Sequence, residues 1–181
     1  MSTYTKAPKE VTDLVDQTMK QCHGPKHEAG VRVKVLMAHP NVDQNDEPTG
    51  PAILAGGYKA LAKIKILSLP NRVAYGFDAE MQLDSDHWDE SSDEERVAVL
   101  DHELTHLELA VDDKGGVKRD DAGRPKLRMR KHDYAFGWFS TVAHRHGESS
   151  LEVRQARALL DSEDYQQCWL PGMSELEEAA A

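Results

Sequence analysis

Residues 92–111 read SDEERVAVLDHELTHLELAV, and the interpretation of the chain starts from this stretch. It opens on a capping box formed by Ser92 and Glu95, and its apolar residues then recur at helical spacing. We therefore predict an amphipathic helix whose apolar stripe faces the core. The predicted stripe consists of Val97, Leu100, Leu104, Leu107 and Val111.

The same helix contains the pattern HExxH at His102, Glu103 and His106. At about 100° per residue, the two histidines lie one turn apart on one face, turned away from the apolar stripe. Two imidazoles in that position can share a zinc ion, whereas Glu103 is better placed to reach a water on the metal. The pattern predicts His102 and His106 as zinc ligands and Glu103 as a catalytic base.

A catalytic zinc site needs a third protein ligand and an open position for water. We favour His132, because a helix predicted at about residues 133–146 would place it on the inward face with Phe136 and Phe139. A histidine bonded to a backbone carbonyl at the start of that helix is the competing interpretation of His132. The other candidates are Asp133, His144 and His146, of which the two histidines are expected at the surface, whereas Glu108 lies only two residues past His106 on another face of the helix.

The remaining patterns predict an α+β fold, with a small mixed or antiparallel sheet packed on the HExxH helix plus further helices. Strict alternation at residues 75–83 predicts an antiparallel or edge strand that could pair with an extended substrate. No internal repeat is evident. We expect a main domain at residues 1–150, followed by a C-terminal helix and acidic tail at 151–181. The other predicted elements are helices at 10–22 and 150–161, strands at 31–37 and 62–66, a long loop at 39–57 and a hairpin or ordered loop at 112–131.

Composition limits the classes of function. The 181 residues include 22 basic and 32 acidic side chains, and the net charge of −10 disfavours an overall affinity for nucleic acid or membranes. Cys22 and Cys168 belong to no paired motif, which excludes a disulfide framework and a cysteine zinc finger. The chain lacks a long apolar run, and its first residues show no signal-peptide pattern, so we expect a cytoplasmic protein.

One segment departs from the acidic average. Residues 114–131 contain eight Lys or Arg and lead directly into His132. We call these residues the basic segment, and we expect Arg128, Arg130 and Lys131 to bind an acidic protein segment or nucleic-acid phosphates. A solvated hairpin is the alternative. Tyr134, two residues past His132, is a candidate donor to an oxyanion.

These motifs together resemble a known family. The resemblance rests on Asp101 before HExxH, the stretch 126–133, Phe136 and the sequence Arg145-His146-Gly147. They look like those of the putative phage metallopeptidase family and, more distantly, of SprT-like zincins. The resemblance implies a zincin-like fold with one Zn²⁺ per chain on His102, His106 and His132, and Glu103 as the base. SprT-like proteins often carry a cysteine zinc module or a basic DNA-binding region, and this chain has neither the cysteines nor the basic charge.

The resulting prediction is a zinc metallopeptidase that hydrolyses protein or peptide substrates, without a membrane partner, in the host cytoplasm if the chain is phage-encoded. The alternative is a zinc-containing, non-catalytic binding protein, such as a phage accessory or defence-evasion factor, with nucleic acid among its candidate partners. A nuclease is weaker, because phosphoryl chemistry usually uses carboxylate-rich or two-metal sites.

Overall fold

The structure is a computed structural model that describes residues 3–132 and 140–160. It has two compact units, at residues 1–131 and 132–181, and the described elements are a mixture of α-helices and small sheets. The strands, numbered along the chain, are β1 (Thr3–Lys6), β2 (Val33–His39), β3 (Leu54–Ala55), β4 (Tyr58–Lys59), β5 (Ala62–Ile66), β6 (Ala79–Asp84), β7 (Leu107–Leu109) and β8 (Leu127–Met129). The helices are α1 (Lys9–Cys22), α2 (Gly24–Glu28), α3 (Leu69–Tyr75), α4 (Ser85–Glu90), α5 (Asp93–Thr105), α6 (Ser140–His146) and α7 (Leu151–Leu160).

The first unit is built on a four-stranded sheet in the order β1-β2-β6-β5. Strand β2 is antiparallel to β1 and parallel to β6, which in turn is antiparallel to β5. Helices α1 and α5 contact each other and cover one face of this sheet. Their apolar faces and the inward residues of the strands form one core, which includes Val15, Met19, Ile64, Met81, Leu100 and Leu104. The predicted α+β class is therefore confirmed.

The strand predicted at residues 75–83 is confirmed from Ala79 onwards and in its antiparallel pairing with β5, but its predicted start and its place at an edge are wrong. Residues up to Tyr75 belong to α3, which has Pro70 in its first turn and ends at Gly76 with φ 72°. The strand proper, β6, begins at Ala79, and both of its edges are paired because it lies between β2 and β5. It has no free edge to offer a substrate. The alternation begins by coincidence at the last residue of α3 and covers the connection to β6, and a pattern of period two cannot tell which strands flank a segment.

Three tight turns share one design that the sequence analysis missed. In each turn an aspartate accepts hydrogen bonds through Oδ1 from the backbone N–H groups two and four residues later, at Asp43, Asp112 and Asp120. The residue three positions on has positive φ in all three: Asp46 at 61°, Gly115 at 81° and Gly123 at 73°. Two of the turns repeat as Asp-Asp-Lys-Gly (112–115) and Asp-Asp-Ala-Gly (120–123), eight residues apart. The chain does contain a short internal repeat.

The repeat folds the basic segment into a closed unit. Backbone hydrogen bonds run from Ala110 N–H to Lys126 O, from Lys126 N–H to Lys118 O and from Lys118 N–H to Ala110 O. The three residues follow one another at intervals of eight along the chain, and their three backbone hydrogen bonds close a ring. The predicted ordered loop at 112–131 is confirmed, and its last part pairs as β8 with β7.

A buried ion network fixes this unit to the sheet. Asp78 is fully buried, and its carboxylate accepts hydrogen bonds from Arg72 at 2.6 Å, from the Arg124 guanidinium and from the Arg32 N–H. Arg72 also pairs with Asp120 at 2.7 Å and donates to the Pro125 carbonyl at 2.7 Å. Burial alone would raise the pKa of the Asp78 carboxyl, but the hydrogen bonds from its cationic partners outweigh burial and hold that pKa below its usual value.

In the second unit, α6 is followed by a 3-10 turn (Gly147–Ser149) and by α7, which agrees with the predicted last helix. The Ser150 hydroxyl accepts from the Val153 N–H, as an N-terminal cap does. Residues 133–139, which contain the first part of the predicted helix at 133–146, lie outside the described residues. Among the described residues, no helix is both long and apolar enough to cross a membrane.

Candidate metal centre

Helix α5 begins as predicted and ends earlier. Both hydrogen bonds of the Ser92–Glu95 capping box are present, with three acidic residues in the first turn to complement the helix dipole. Val97, Leu100, Leu104 and Leu107 of the predicted stripe are buried, whereas Val111 is 46% exposed. The helix stops at Thr105, and Leu107 already belongs to β7. The prediction of a helix to Val111 is therefore wrong for its last six residues.

The early end leaves the two motif histidines in helical geometry. His106 is the C-cap residue with φ −64° and ψ −20°, so its side chain still follows one turn after His102. The two imidazole rings are 5.1 Å apart between centroids and nearly perpendicular. His102 is exposed and His106 half-buried, on the side of the helix away from Leu100 and Leu104.

Strand β8 controls the orientation of His106. Beyond the β7–β8 pairs, the Arg130 N–H donates to the His106 carbonyl at 2.8 Å. The His106 Nδ1 lies 2.8 Å from the Arg130 carbonyl oxygen, which can only accept, so Nδ1 carries the proton. This contact leaves Nε2 as the atom that can bind a metal, which is the usual way a ligating histidine is held. The sequence analysis missed this contact, because its acceptor is a backbone carbonyl and no side-chain pattern marks such a group.

His132 follows Arg130 by two residues, and it completes a cluster with the helical pair. One ligand atom each of His102, His106 and His132 lies within 4.8 Å of the other two. Zinc–nitrogen bonds of about 2.0–2.1 Å place tetrahedral ligands roughly 3.4 Å apart, a spacing that small side-chain rotations would reach. Three imidazoles suit zinc and other borderline divalent metals, and they leave a coordination position open. His132 is exposed, whereas the competing interpretation expects a buried histidine.

Glu103 lies on another side of α5, next to the sheet. Only 7% of the residue is exposed, and its carboxylate accepts a hydrogen bond from the backbone N–H of Ile64 in β5. Burial raises the pKa of the Glu103 carboxyl above its usual value, although the nearby His106 and the Ile64 N–H act in the opposite direction. A buried carboxyl with a raised pKa beside a metal-ligand cluster is a typical candidate for proton transfer.

Helix α2 contacts the opposite flank of α5. The His23 Nε2 lies 2.8 Å from an Asp101 carboxylate oxygen, one residue before His102. The Lys26 ammonium donates to the Leu104 carbonyl at 2.8 Å, in the last turn of α5. Burial lowers the pKa of both His23 and Lys26. This lysine therefore satisfies one of the carbonyls that a helix leaves without a partner at its C-terminus.

The other residues predicted for the site lie in several different environments. Arg128 and Glu108 form an exposed ion pair at 3.3 Å, which occupies Glu108 away from the cluster. Arg130 and Lys131 are exposed at the end of the basic segment, whereas Arg124 of the same segment turns inward to Asp78. His144 and His146 are exposed in α6, as predicted. Asp133 and Tyr134 lie outside the described residues, so the predicted oxyanion donor stays a prediction.

The fold and the cluster define an α+β protein with a three-histidine candidate metal site on and beside one helix. In a comparison with protein families, residues 2–162 match the family described as putative phage metallopeptidase. The chain belongs to this family, whose description implies a metal-dependent peptidase. No curated protein and no solved structure matched the chain.

Proposed function

We propose that the protein is a zinc-dependent metallopeptidase of zincin type, with His102, His106 and His132 as the zinc ligands and Glu103 as the general base. The observation that carries the proposal is the three-histidine cluster with a buried carboxylate on the same helix. Three histidines and an open position are the ligand set of a catalytic rather than a structural zinc site. The family description supports the same chemistry.

His102, His106 and His132 would hold a zinc ion, which would lower the pKa of a coordinated water and polarise the carbonyl of a bound substrate. Glu103 would accept a proton from the attacking water and return it to the leaving amine. The hydrogen bond to Arg130 keeps His106 in the tautomer that presents Nε2.

The sheet edge on the Glu103 side of the helix belongs to β5, which is the last strand in the sheet. Hydrogen bonds from Asp84 N–H to Leu61 O and from Leu67 N–H to Asp78 O show that the backbone groups of Leu61 and Leu67 point towards β6. By alternation, the backbone groups of Ala62, Ile64 and Ile66 point away from β6. We propose that an extended substrate aligns along this outer side of β5, with its scissile bond near Glu103.

A specific observation also favours the non-catalytic alternative. The Glu103 carboxylate accepts from the Ile64 N–H, so it could be retained only to tie α5 to β5. In that case the protein would bind zinc and act by occupying a partner. The two functions differ in whether Glu103 must accept a proton from water.

Glu103→Gln separates them, because a glutamine carbonyl still accepts the Ile64 hydrogen bond but cannot serve as a base. We expect the variant to keep its fold and zinc and to lose peptide hydrolysis by a factor of about 10² to 10⁴. The measurement is cleavage-site profiling of a bacterial lysate and of a peptide library. Glu94→Gln, an exposed position in the first turn of α5, is the matched control and should retain activity.

If wild type and Glu103→Gln yield the same cleavage sites at the same rates, the peptidase proposal is wrong. A zinc-loaded wild type that cleaves nothing but captures a partner equally well in both forms would support the binding protein.

A further inference from the structure

The face of the four-stranded sheet that points away from α1 and α5 is strongly basic. Residue pairing across the strands aligns Lys6, Leu36, Gln82 and Lys63 in one row and Lys34, Glu80 and Lys65 in the next. Arg32 precedes Lys34 by two residues and shares its side of the sheet by alternation. We call Lys6, Arg32, Lys34, Lys63 and Lys65 the basic sheet face. The α5 helix and its histidines are on the other face, so this surface is separate from the metal centre.

This surface is positively charged, whereas the protein as a whole is negatively charged. Lys6, Arg32, Lys63 and Lys65 are exposed, in a chain whose net charge is −10. The acid between them, Glu80, is buried and lies 2.7 Å from the Lys65 ammonium and 3.5 Å from that of Lys34. At about 4.8 Å between strands, the cations extend over roughly 14 Å from β1 to β5. A positive area of this width favours a ligand with several negative charges.

Aromatic rings border the same surface. Tyr75 is 59% exposed, and its ring centroid lies 5.3 Å from the Lys34 ammonium. Tyr4, on the outer side of β1, is 49% exposed. A groove of about 550 Å³ lies at the start of β2, between this surface and α1, and it is lined by Lys6, Arg32, Lys34 and Phe77 together with Thr12 and Asp16 of α1. Exposed rings beside ammonium groups give two kinds of contact, one for flat apolar groups and one for anions.

We propose that the basic sheet face binds single-stranded nucleic acid, with phosphates on the lysines and bases stacked on Tyr75 and in the groove at Phe77. Unpaired bases can stack on such rings, whereas the bases of a duplex are already stacked on each other. An acidic polypeptide would satisfy the lysines but would leave the exposed rings unused. The combination of both features on one sheet face therefore favours a single strand.

The test is fluorescence anisotropy with a labelled oligothymidine of about 20 nucleotides and the full-length protein, at several salt concentrations. We expect salt-sensitive binding that weakens at least tenfold in the double variant Lys6→Glu/Lys63→Glu. Neither lysine makes an ion pair within residues 3–132 and 140–160, so the fold should survive. Losing two phosphate contacts should reduce the slope of log K against log salt by about 1.4.

Two matched controls assign the effect. Lys114→Glu/Lys126→Glu changes the charge equally at exposed positions of the basic segment and should leave binding nearly unchanged. Tyr75→Ala should weaken binding about tenfold, whereas Tyr58→Ala, at an 80% exposed tyrosine in the β3–β4 hairpin, should not.

The proposal is overturned if wild type fails to bind the oligonucleotide at low salt, or if the basic-segment variant loses binding as much as Lys6→Glu/Lys63→Glu does. Equal competition by polyglutamate, or full binding by Tyr75→Ala, would instead identify an acidic protein partner. Tighter binding of duplex DNA than of oligothymidine would also contradict it. None of these readouts depends on peptidase activity.

Discussion

The candidate metal site brings together two regions that are held in different ways. His102 and His106 are placed by one turn of α5, so local helix geometry alone sets their relation. His132 comes from beyond two aspartate turns, the backbone ring and β8, more than 20 residues along the chain. The first pair depends on a single helix, whereas the third histidine depends on the folding of the whole basic segment. Variants that loosen the segment should therefore affect His132 more than the helical pair.

Among the variants that should loosen the basic segment, we expect the largest loss of stability from a substitution of Asp78. Asp78→Asn leaves the cations Arg72 and Arg124 with a weaker buried partner, although Asp120 still pairs with Arg72. We expect a loss of about 3 kcal/mol in the free energy of unfolding, measured by urea titration at neutral pH. Asp89→Asn, at an exposed position of α4, is the control and should change stability little. An equal, small loss in both variants would show that the network does not support the segment.

The same carboxyl predicts a dependence of stability on pH. Because the pKa of Asp78 is lower in the folded than in the unfolded protein, its contribution is present above the unfolded value of about 3.9. That contribution is lost as the pH falls through the lower, folded pKa. Urea midpoints measured from neutral pH downwards should decline more steeply in wild type than in Asp78→Asn. Parallel profiles for the two proteins would contradict this assignment.

A smaller effect is expected in the repeated turns. Gly123 has φ 73°, and an added Cβ would meet no atom within 4 Å, so Gly123→Ala costs only backbone strain. We expect a loss of about 1 kcal/mol in the free energy of unfolding. Gly50→Ala also adds a Cβ in open space, but without positive φ, and should be neutral or slightly stabilising. Equal results for both glycines would mean that the aspartate turn tolerates other backbone conformations.

The smallest effect concerns the exposed cations beside the site, and it rests on the proposed peptidase function. Charge reversal at Arg128 and Arg130 should lower kcat/KM a few-fold for an acidic peptide and leave kcat nearly unchanged. The dependence of kcat/KM on salt should weaken in the variant, because exposed charges act over about 8 Å at physiological ionic strength. Steady-state kinetics at several salt concentrations measures both effects. A fall in kcat at constant KM would show instead that the His106–Arg130 contact had been disturbed.

Local patterns predicted most of the elements correctly. Helix α1, strand β5 and the capped start of α5 agree with the sequence analysis, because apolar periodicity and capping residues act within a few positions. The same holds for His102 and His106, whose proximity follows from one helical turn. The preference for His132 rests on a predicted helix whose first residues lie outside the described ones, and its role as a ligand stays a prediction.

Features that depend on distant partners were not predictable in this way. The central place of β6 follows from its pairing with β2 and β5, which alternation within residues 79–84 does not encode. The inward turn of Arg124 depends on Asp78, 46 positions earlier in the chain, so the basic segment is less continuous on the surface than its composition indicates. The repeat of Asp-Asp-x-Gly at eight residues was visible in the sequence and was overlooked. The division at residue 150 stays a prediction.

Metal analysis of purified protein tests the central claim most directly, that a histidine from beyond the basic segment completes the helical pair. Elemental analysis and native mass spectrometry of wild type and of His102→Ala, His106→Ala, His132→Ala and His144→Ala give the zinc content of each. We predict one zinc per chain in wild type and in the His144→Ala control, and loss of zinc in the other three variants. Full zinc retention in a folded His132→Ala, or a wild type that neither contains zinc nor takes it up on titration, would contradict the account.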